Sequence, residues 1–154
     1  MPLSKVVFLG FPEHGHINPT AGVVKELVSR GEEVLYYCPA ELQTKFANTG
    51  VQMRDFLFPT PVPEEQTVDF GEIQETTNQK LIENLMKLID TELASCLEII
   101  QYQKPDLKKA VMEIKPDYII HDSCAYWGKI IAQQLSIPAI SSVTVYLIAV
   151  KYSI

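Results

Sequence analysis

The sequence predicts an α/β protein built on a doubly wound parallel β-sheet. Short apolar runs typical of buried strands recur along the chain, beginning with residues 6–10 and continuing as far as residues 118–121 and 138–142. Between these runs lie stretches whose apolar residues repeat at helical spacing. Strands that alternate with helices in this way are joined by right-handed crossovers into a parallel sheet. We therefore expect one parallel β-sheet with helices on both faces.

The first half of the chain predicts three strands. After the strand at 6–10, a helix is expected at 20–30, where Asn18 would cap the free N–H groups and Pro19 would suit the first turn. The apolar stripe of this helix comprises Val23, Val24, Leu27 and Val28. The elements that follow are a strand at 33–38, a short helix at 39–48, and an alternating strand near a sheet edge at 51–56.

The second half predicts a long loop, three helices and two strands. Residues 58–77 contain three prolines, several acids and no sustained period, and loops of this length in a compact domain are functional or mobile. A long amphipathic helix is expected at 78–103, interrupted at Lys104 and Pro105. The remaining predicted elements are a helix at 106–114, a strand at 118–121, a turn starting at Asp122, a helix at 127–135 and a strand at 138–142.

Composition narrows the class of protein. A chain of 154 residues is one domain by length, at residues 1–154, and can bury a core. Its net charge of −6 argues against nucleic acid or an anionic membrane as partner. No signal peptide is visible, and the three cysteines are too few and too far apart for a disulfide framework or a zinc site. We expect a cytoplasmic protein.

The carboxyl end is unusually apolar. Residues 137–150 are almost all apolar or small, yet this run is shorter than the about 20 residues that a membrane helix needs. The chain stops soon afterwards, at Ile154. We expect either that a natural continuation is missing or that this end packs on a partner; a buried terminal helix is the alternative.

The loop at residues 11–19 is the first candidate site. It runs from the carboxyl end of a strand to the start of a helix, where α/β proteins bind ligands. The spacing of Gly10 and Gly15 resembles the start of a P-loop, but no Lys followed by Ser or Thr comes next, which excludes a nucleoside triphosphatase. The dinucleotide fingerprint is absent too, and residues 36–39 lack the acid that would hold a ribose.

His16 and Asp122 are the candidate catalytic pair. Histidine is the commonest general base, and such a base needs an orienting carboxylate on its far nitrogen. Asp122 follows a buried strand, so a 3-2-1-4-5 strand order would bring it beside His16. Alternatives stay open: the histidine could be structural, the aspartate could cap the next helix, and His14 could be the base or a metal ligand with His16. A metal would need a third ligand, and His121 lies within a strand.

Four sequence segments together form a combination that is more specific for one protein family than any single motif. They are Phe11-Pro12-x-x-Gly15-His16-Ile17-Asn18-Pro19-Thr20, Leu-Val-Ser-Arg-Gly-Glu-Glu-Val at 27–34, Lys-Pro-Asp-Tyr-Ile-Ile-His-Asp at 115–122 and Ala-Gln-Gln-Leu-Ser-Ile-Pro-Ala-Ile-Ser-Ser at 132–142. With them the chain resembles, along nearly its whole length, the amino-terminal domain of bacterial UDP-glycosyltransferases, above all the macrolide branch. The resemblance implies a GT-B architecture, in which two Rossmann-like domains face each other across a cleft.

The resemblance also implies a reaction. His16 would deprotonate an acceptor hydroxyl with Asp122 as its partner, and the oxygen would attack the anomeric carbon of a UDP-sugar, UDP-glucose above all, with inversion and without a metal or other cofactor. Small hydrophobic, phenolic or macrolide acceptors are expected. Gly15 and Asn18 would shape the loop near the donor diphosphate. The acceptor pocket would be lined by Phe11, His14, Ser123 and part of residues 58–103.

The chain departs from this family because the carboxyl-terminal donor domain is absent. We therefore expect an acceptor-binding half with negligible activity alone. A second hypothesis is a non-catalytic binding subunit, completed by a donor-domain partner or by self-association through residues 137–150. A third is an epimerase-like GT-B enzyme, which the pair His16 and Asp122 fits less well than it fits hydroxyl deprotonation.

Overall fold

A computed structural model describes residues 3–56, 78–98, 100–101 and 104–144. The predicted loop at 58–77 lies outside the described residues, and so does the last part of the apolar run at 137–150. Within the described ranges, no helix is both long enough and apolar enough to cross a membrane.

The elements alternate as the sequence predicts. In chain order they are β1 (Lys5–Leu9), α1 (His14–Ile17), α2 (Thr20–Ser29), β2 (Glu33–Cys38), a 3₁₀ helix (Ala40–Phe46), β3 (Gln52–Asp55), α3 (Asn78–Glu98), α4 (Lys104–Ile114), β4 (Tyr118–Asp122), α5 (Tyr126–Leu135) and β5 (Ala139–Ser142). Most boundaries agree with the predicted ones within two residues. Because proline is tolerated in the first turn of a helix, α4 already begins at Lys104 and includes Pro105.

The five strands form one parallel sheet in the order β3-β2-β1-β4-β5. This confirms the predicted α/β class. The strand order is the one under which Asp122 was expected to lie beside His16. In the pairing of β1 with β4, Leu9 lies opposite His121. In the pairing of β4 with β5, Asp122 lies opposite Ser142. The chain continues from β1 to β2 on one side of β1 and later returns to β4 on the other side. The crevice at the carboxyl ends of β1 and β4 is therefore a topological switch point.

Two apolar clusters cover the two faces of the sheet, as doubly wound topology requires. Successive side chains of a strand point to opposite faces, so Val7 and Leu9 of β1 enter one cluster while Val6 and Phe8 enter the other. The first cluster is completed by α4 and α5, with buried Leu107, Val111, Trp127, Ile131 and Ala132. The second is completed by the first helices, with buried Ile17, Val24, Leu42 and Phe46.

The loop at 11–19 contains a helical turn that the sequence did not predict. The backbone N–H groups of His16 and Ile17 donate to the carbonyl oxygen of Glu13 over 3.0 and 2.9 Å. The predicted cap of α2 by Asn18 is wrong, because the backbone of Asn18 is helical, at φ −54° and ψ −44°, whereas a capping residue has an extended backbone. Burial of Ile17 against the sheet, at 0% exposure, accounts for the extra turn.

The amphipathic helix α3 shows an apolar stripe to solvent. Exposed fractions along this stripe run from 46% to 60%, at Ile82, Met86, Ile89, Leu93 and Leu97. Helical spacing in the sequence predicted an apolar stripe that includes Ile82, Ile89, Leu93 and Leu97, without Met86, but did not predict the surface that it faces. The stripe shows that periodicity alone does not distinguish a covered face from an uncovered one.

Tight packing of α5 on β4 makes Gly128 the helix position most sensitive to an added methyl group. A Cβ at Gly128 would lie 2.6 Å from Cβ of His121 and 3.2 Å from Cδ1 of Leu9. We expect Gly128→Ala to lower the free energy of unfolding by about 1–3 kcal/mol, since an overpacked site shifts its neighbours. Urea unfolding followed by circular dichroism measures this change.

Gly22 in α2 is the matched control for that substitution. A Cβ at Gly22 would meet nothing within 4 Å. Gly22→Ala should therefore raise the free energy of unfolding by roughly 0.5–1 kcal/mol, because alanine favours a helix interior over glycine. Equal effects of the two substitutions would contradict the close contact between α5 and β4.

Candidate active site

His16 and Asp122 are in contact at the carboxyl ends of β1 and β4. His16 lies on α1, and Asp122 is the last residue of β4, which extends one residue further than predicted and so includes the first residue of the predicted turn. The Nδ1 atom of His16 is 3.1 Å from both carboxylate oxygens of Asp122. His16 is 7% exposed and Asp122 1% exposed. Buried contact of this kind requires the strand order described above, since β1 and β4 are sequence-distant but adjacent.

The carboxylate of Asp122 has two further donors. The backbone N–H of Cys124 donates to Oδ1 over 2.8 Å, and the hydroxyl of Thr144 donates to Oδ2 over 2.6 Å. Burial by itself raises the pKa of Asp122, but hydrogen bonds from His16, Thr144 and the Cys124 backbone outweigh burial and lower this pKa below its usual value. Asp122 is therefore ionised at neutral pH and acts only as an acceptor.

This charge state determines the proton positions on His16. An ionised carboxylate cannot donate, so the Nδ1 atom that faces it must carry the hydrogen. The neutral imidazole then has its basic lone pair on Nε2. A histidine held in this tautomer by a carboxylate can take a proton at Nε2 while the carboxylate stabilises the resulting imidazolium.

Phe11 packs against the imidazole of His16, and Trp127 packs against Phe11. The ring centroid of Phe11 lies 4.8 Å from that of His16 and 6.1 Å from that of Trp127. Phe11 is 6% exposed and Trp127 is 1% exposed. Phe11 thus packs against the ring of His16, and its predicted contact with an acceptor stays a prediction.

The other predicted site residues surround the pair without joining it. His14, Gly15 and Asn18 are exposed on the same turn as His16. Ser123 is half-buried directly after β4, and its backbone N–H donates to the carbonyl oxygen of Ser142 over 2.9 Å. Asp122 therefore contacts His16, not His14, and the binding roles assigned to the four remain predictions.

Thr144 is the site residue that sequence reasoning missed. It follows β5 by two residues, and its Oγ1 lies within 3.0 Å of Nδ1 of His16 as well as 2.6 Å from Oδ2 of Asp122. The sequence did contain a signal for Thr144: a polar residue that directly follows a strand next to β4 lies at the same edge of the sheet as Asp122. The surrounding apolar run at 137–150 drew attention to packing instead.

Cys124 adds a third side chain of the kind that binds metals. One ligand atom each from His16, Asp122 and Cys124 lie within 4.8 Å of one another, a group that does not include His14. A bound cation would have to replace the contact between His16 and Asp122 and compete with the N–H and O–H donors already on the carboxylate. His121 is not part of this group; its Nδ1–H donates to the carbonyl oxygen of Asp122 over 2.8 Å. The arrangement fits proton transfer better than a metal.

A cleft of about 480 Å³ opens between α5 and β5, at the edge of the sheet. Polar side chains contribute to its wall, among them His121, Ser123, Lys129 and Gln133. Of the predicted site residues, Ser123 lines this cleft, whereas His16 and Asp122 do not.

The chain is similar along its length to bacterial glycosyltransferases. It is 28% identical over 144 residues to the uncharacterized UDP-glucosyltransferase YojK of Bacillus subtilis (strain 168), a match that covers 94% of this chain and 32% of that protein. It is 27% identical over 137 residues to oleandomycin glycosyltransferase of Streptomyces antibioticus, covering 88% and 28%. These relatives confirm the resemblance predicted from the four sequence segments. No protein-family model matches the chain.

Solved glycosyltransferase structures share the fold. The glycosyltransferase of kitacinnamycin aligns with a TM-score of 0.66 at 22% identity, over 92% of this chain and 30% of that chain. The spinosyn rhamnosyltransferase SpnG, solved with spinosyn aglycone, aligns with a TM-score of 0.62 at 21% identity, over 88% and 33%. The same enzyme has been solved with thymidine diphosphate. The chain spans about a third of the length of the proteins that it matches.

Proposed function

We propose that this chain, similar along its length to bacterial glycosyltransferases, is the amino-terminal, acceptor-binding half of an inverting transferase that uses a nucleotide sugar. The observation that carries the proposal is the buried contact of His16 with Asp122 at the switch point of the sheet. The pair has the polarity and the tautomer of a general base with its orienting carboxylate. The names of the relatives support UDP-glucose as donor and a macrolide or another small hydrophobic hydroxyl compound as acceptor.

In the proposed reaction, an acceptor hydroxyl donates to Nε2 of His16. As the acceptor oxygen forms its bond to the anomeric carbon, the hydroxyl proton passes to Nε2, and the bond from that carbon to the diphosphate oxygen breaks with inversion. The bonding pair leaves with the nucleoside diphosphate. Asp122 keeps its negative charge and stabilises the imidazolium, so its contribution is larger in the transition state than in the ground state.

The donor half of the site lies outside the proposed role of this chain. Stabilisation of the leaving diphosphate and alignment of the two reactants supply much of the rate in such a reaction. We therefore expect the 154-residue chain alone to form no measurable glycoside from UDP-glucose and a panel of flavonoid and macrolide acceptors. Mass spectrometry of the products measures this directly.

Addition of a donor domain provides the positive arm of that experiment. A carboxyl-terminal domain from a matched glycosyltransferase, fused to this chain, should restore glycoside formation. Efficient turnover by the chain alone would show that it is not a half, and failure of every fusion that folds would contradict the glycosyltransferase role.

A non-catalytic subunit is the second candidate function, favoured by the edge of the sheet at β5, which pairs with no further strand in the described part of the chain. Ile140 in β5 is 54% exposed and Val143 just beyond it is 61% exposed. Apolar residues beside an unpaired strand edge favour contact with another chain. Light scattering that shows concentration-dependent association would support this candidate over a simple acceptor half.

A further inference from the structure

We propose that Thr144 is a positioning residue that holds the carboxylate of Asp122 in register with His16. The catalytic meaning of this inference rests on the proposed function, whereas the side-chain arrangement can be tested without any glycosyl transfer. The two contacts that carry it are those from Oγ1 of Thr144 to Oδ2 of Asp122, at 2.6 Å, and to Nδ1 of His16, at 3.0 Å.

Backbone pairing brings Thr144 to this place. Asp122 lies opposite Ser142 in the pairing of β4 with β5, and the N–H of Ser123 bonds to the carbonyl oxygen of Ser142 over 2.9 Å. The strands therefore stay paired up to the point where Asp122 ends β4. Thr144, two residues beyond Ser142, then places its hydroxyl against the carboxylate.

The hydrogen-bond count assigns the hydroxyl hydrogen of Thr144 to Asp122. A threonine hydroxyl has one hydrogen and two lone pairs. The shorter of its two contacts is to the carboxylate, as expected for a charge-assisted O–H···O bond. The oxygen of Thr144 can then accept from the Nδ1–H of His16, so one hydroxyl contacts both members of the pair.

Two donors on opposite oxygens fix the orientation of the carboxylate. The N–H of Cys124 holds Oδ1 and the hydroxyl of Thr144 holds Oδ2, which leaves both oxygens 3.1 Å from Nδ1 of His16. Rotation of the carboxylate about its bond to Cβ would break both bonds. Without Thr144, Oδ2 would keep only the longer contact with Nδ1 of His16, at 3.1 Å, and the geometry around Nδ1 would be free to change.

Substitution of Thr144 separates the hydroxyl from the shape of the side chain. Thr144→Val keeps the branched shape and removes the hydroxyl, whereas Thr144→Ser keeps the hydroxyl. In the 154-residue chain with ¹⁵N-labelled histidine, we expect the Nδ1–H proton of His16 to give a protected downfield resonance, assigned by its loss in His16→Gln. This resonance should persist in Thr144→Ser and should shift or broaden through exchange with water in Thr144→Val.

Kinetics of the fusion with a donor domain provide the second readout. Thr144→Val should lower kcat about 10- to 100-fold, because a misplaced catalytic group loses rate steeply with small displacements. The KM for the acceptor should change by less than about twofold, and Thr144→Ser should recover most of kcat. A purely structural role would not separate kcat from KM in this way.

Thr49→Val is the matched control. Its hydroxyl donates to the carbonyl oxygen of Phe46 over 2.7 Å, just before β3, so the variant loses a hydrogen bond that involves neither His16 nor Asp122. It should leave the resonance and kcat unchanged. The inference is overturned if Thr144→Val keeps the parent resonance, if Thr144→Ser behaves like Thr144→Val, or if Thr49→Val has the same effect. An inactive parent fusion would instead count against the proposed function, while the resonance still decides the role of Thr144.

Discussion

His16→Ala should lower kcat of the fusion with a donor domain by about 10²- to 10⁴-fold, the usual contribution of a general base. Binding of the acceptor substrate should be largely unchanged, because His16 acts on the reacting hydroxyl and the rest of the surface that binds the acceptor substrate stays in place. Single-turnover glycoside formation by mass spectrometry measures the chemical step, and acceptor titration followed by calorimetry measures binding. The prediction is thus a loss confined to kcat.

His14→Ala is the matched control for the histidine variant. His14 lies exposed on the same turn as His16, so its loss tests the turn without touching Asp122. It should leave kcat within a fewfold of the parent. A parent-like kcat for His16→Ala would end the proposed mechanism, and a large loss for His14→Ala alone would move the general base to that residue.

Asp122→Asn should also lower kcat of the fusion, by less than His16→Ala, because Nε2 of His16 remains in the site. An asparagine has one acceptor oxygen and one NH₂ group, whereas the carboxylate now accepts from His16, Thr144 and the Cys124 N–H. One of these donors must then face another donor in a buried site. We expect a loss of about 1–3 kcal/mol in the free energy of unfolding together with the loss of rate.

The pH dependence of stability provides a sharper test of the same carboxylate. Burial raises the pKa of Asp122, but its hydrogen bonds outweigh burial and lower this pKa below its ordinary value of 3.8. The charge of Asp122 therefore contributes stability above that pH, and this contribution is lost as the pH falls through the pKa of the folded chain. Urea unfolding of the parent and of Asp122→Asn should therefore differ most near neutral pH and converge in acid. Asp117→Asn is the matched control for the kcat of Asp122→Asn in the fusion. It changes an exposed carboxylate that accepts from the backbone N–H of Lys5.

The predictable part of this site depended on repeating patterns. Apolar runs of strand length and helical stripes located the elements, and alternation of the two determined a parallel sheet. If β1 and β4 are neighbours, the residues that follow them meet at one edge of the sheet, and on this condition the sequence pairs His16 with Asp122. Each of these steps uses local sequence or the general handedness of crossovers.

The unpredictable part depended on contacts between distant segments. The turn at His14–Ile17 forms because Ile17 packs into the core, which no local propensity indicates. The stripe on α3 has the same helical spacing whether it is covered or exposed. Thr144 looks like any polar residue after a strand until the pairing of β4 with β5 brings its hydroxyl to Asp122.

By itself, the sequence determined the fold class and the resemblance to glycosyltransferases, because these follow from periodic hydrophobicity and from residues held in short segments. The tertiary structure alone decided which donors surround Asp122, which tautomer His16 adopts and which apolar surfaces stay exposed. Hydrogen bonds and burial depend on distances of a few ångströms between residues separated along the chain by 22 positions for Asp122 and Thr144, and by 106 for His16 and Asp122. Those distances exist only once the sheet has assembled.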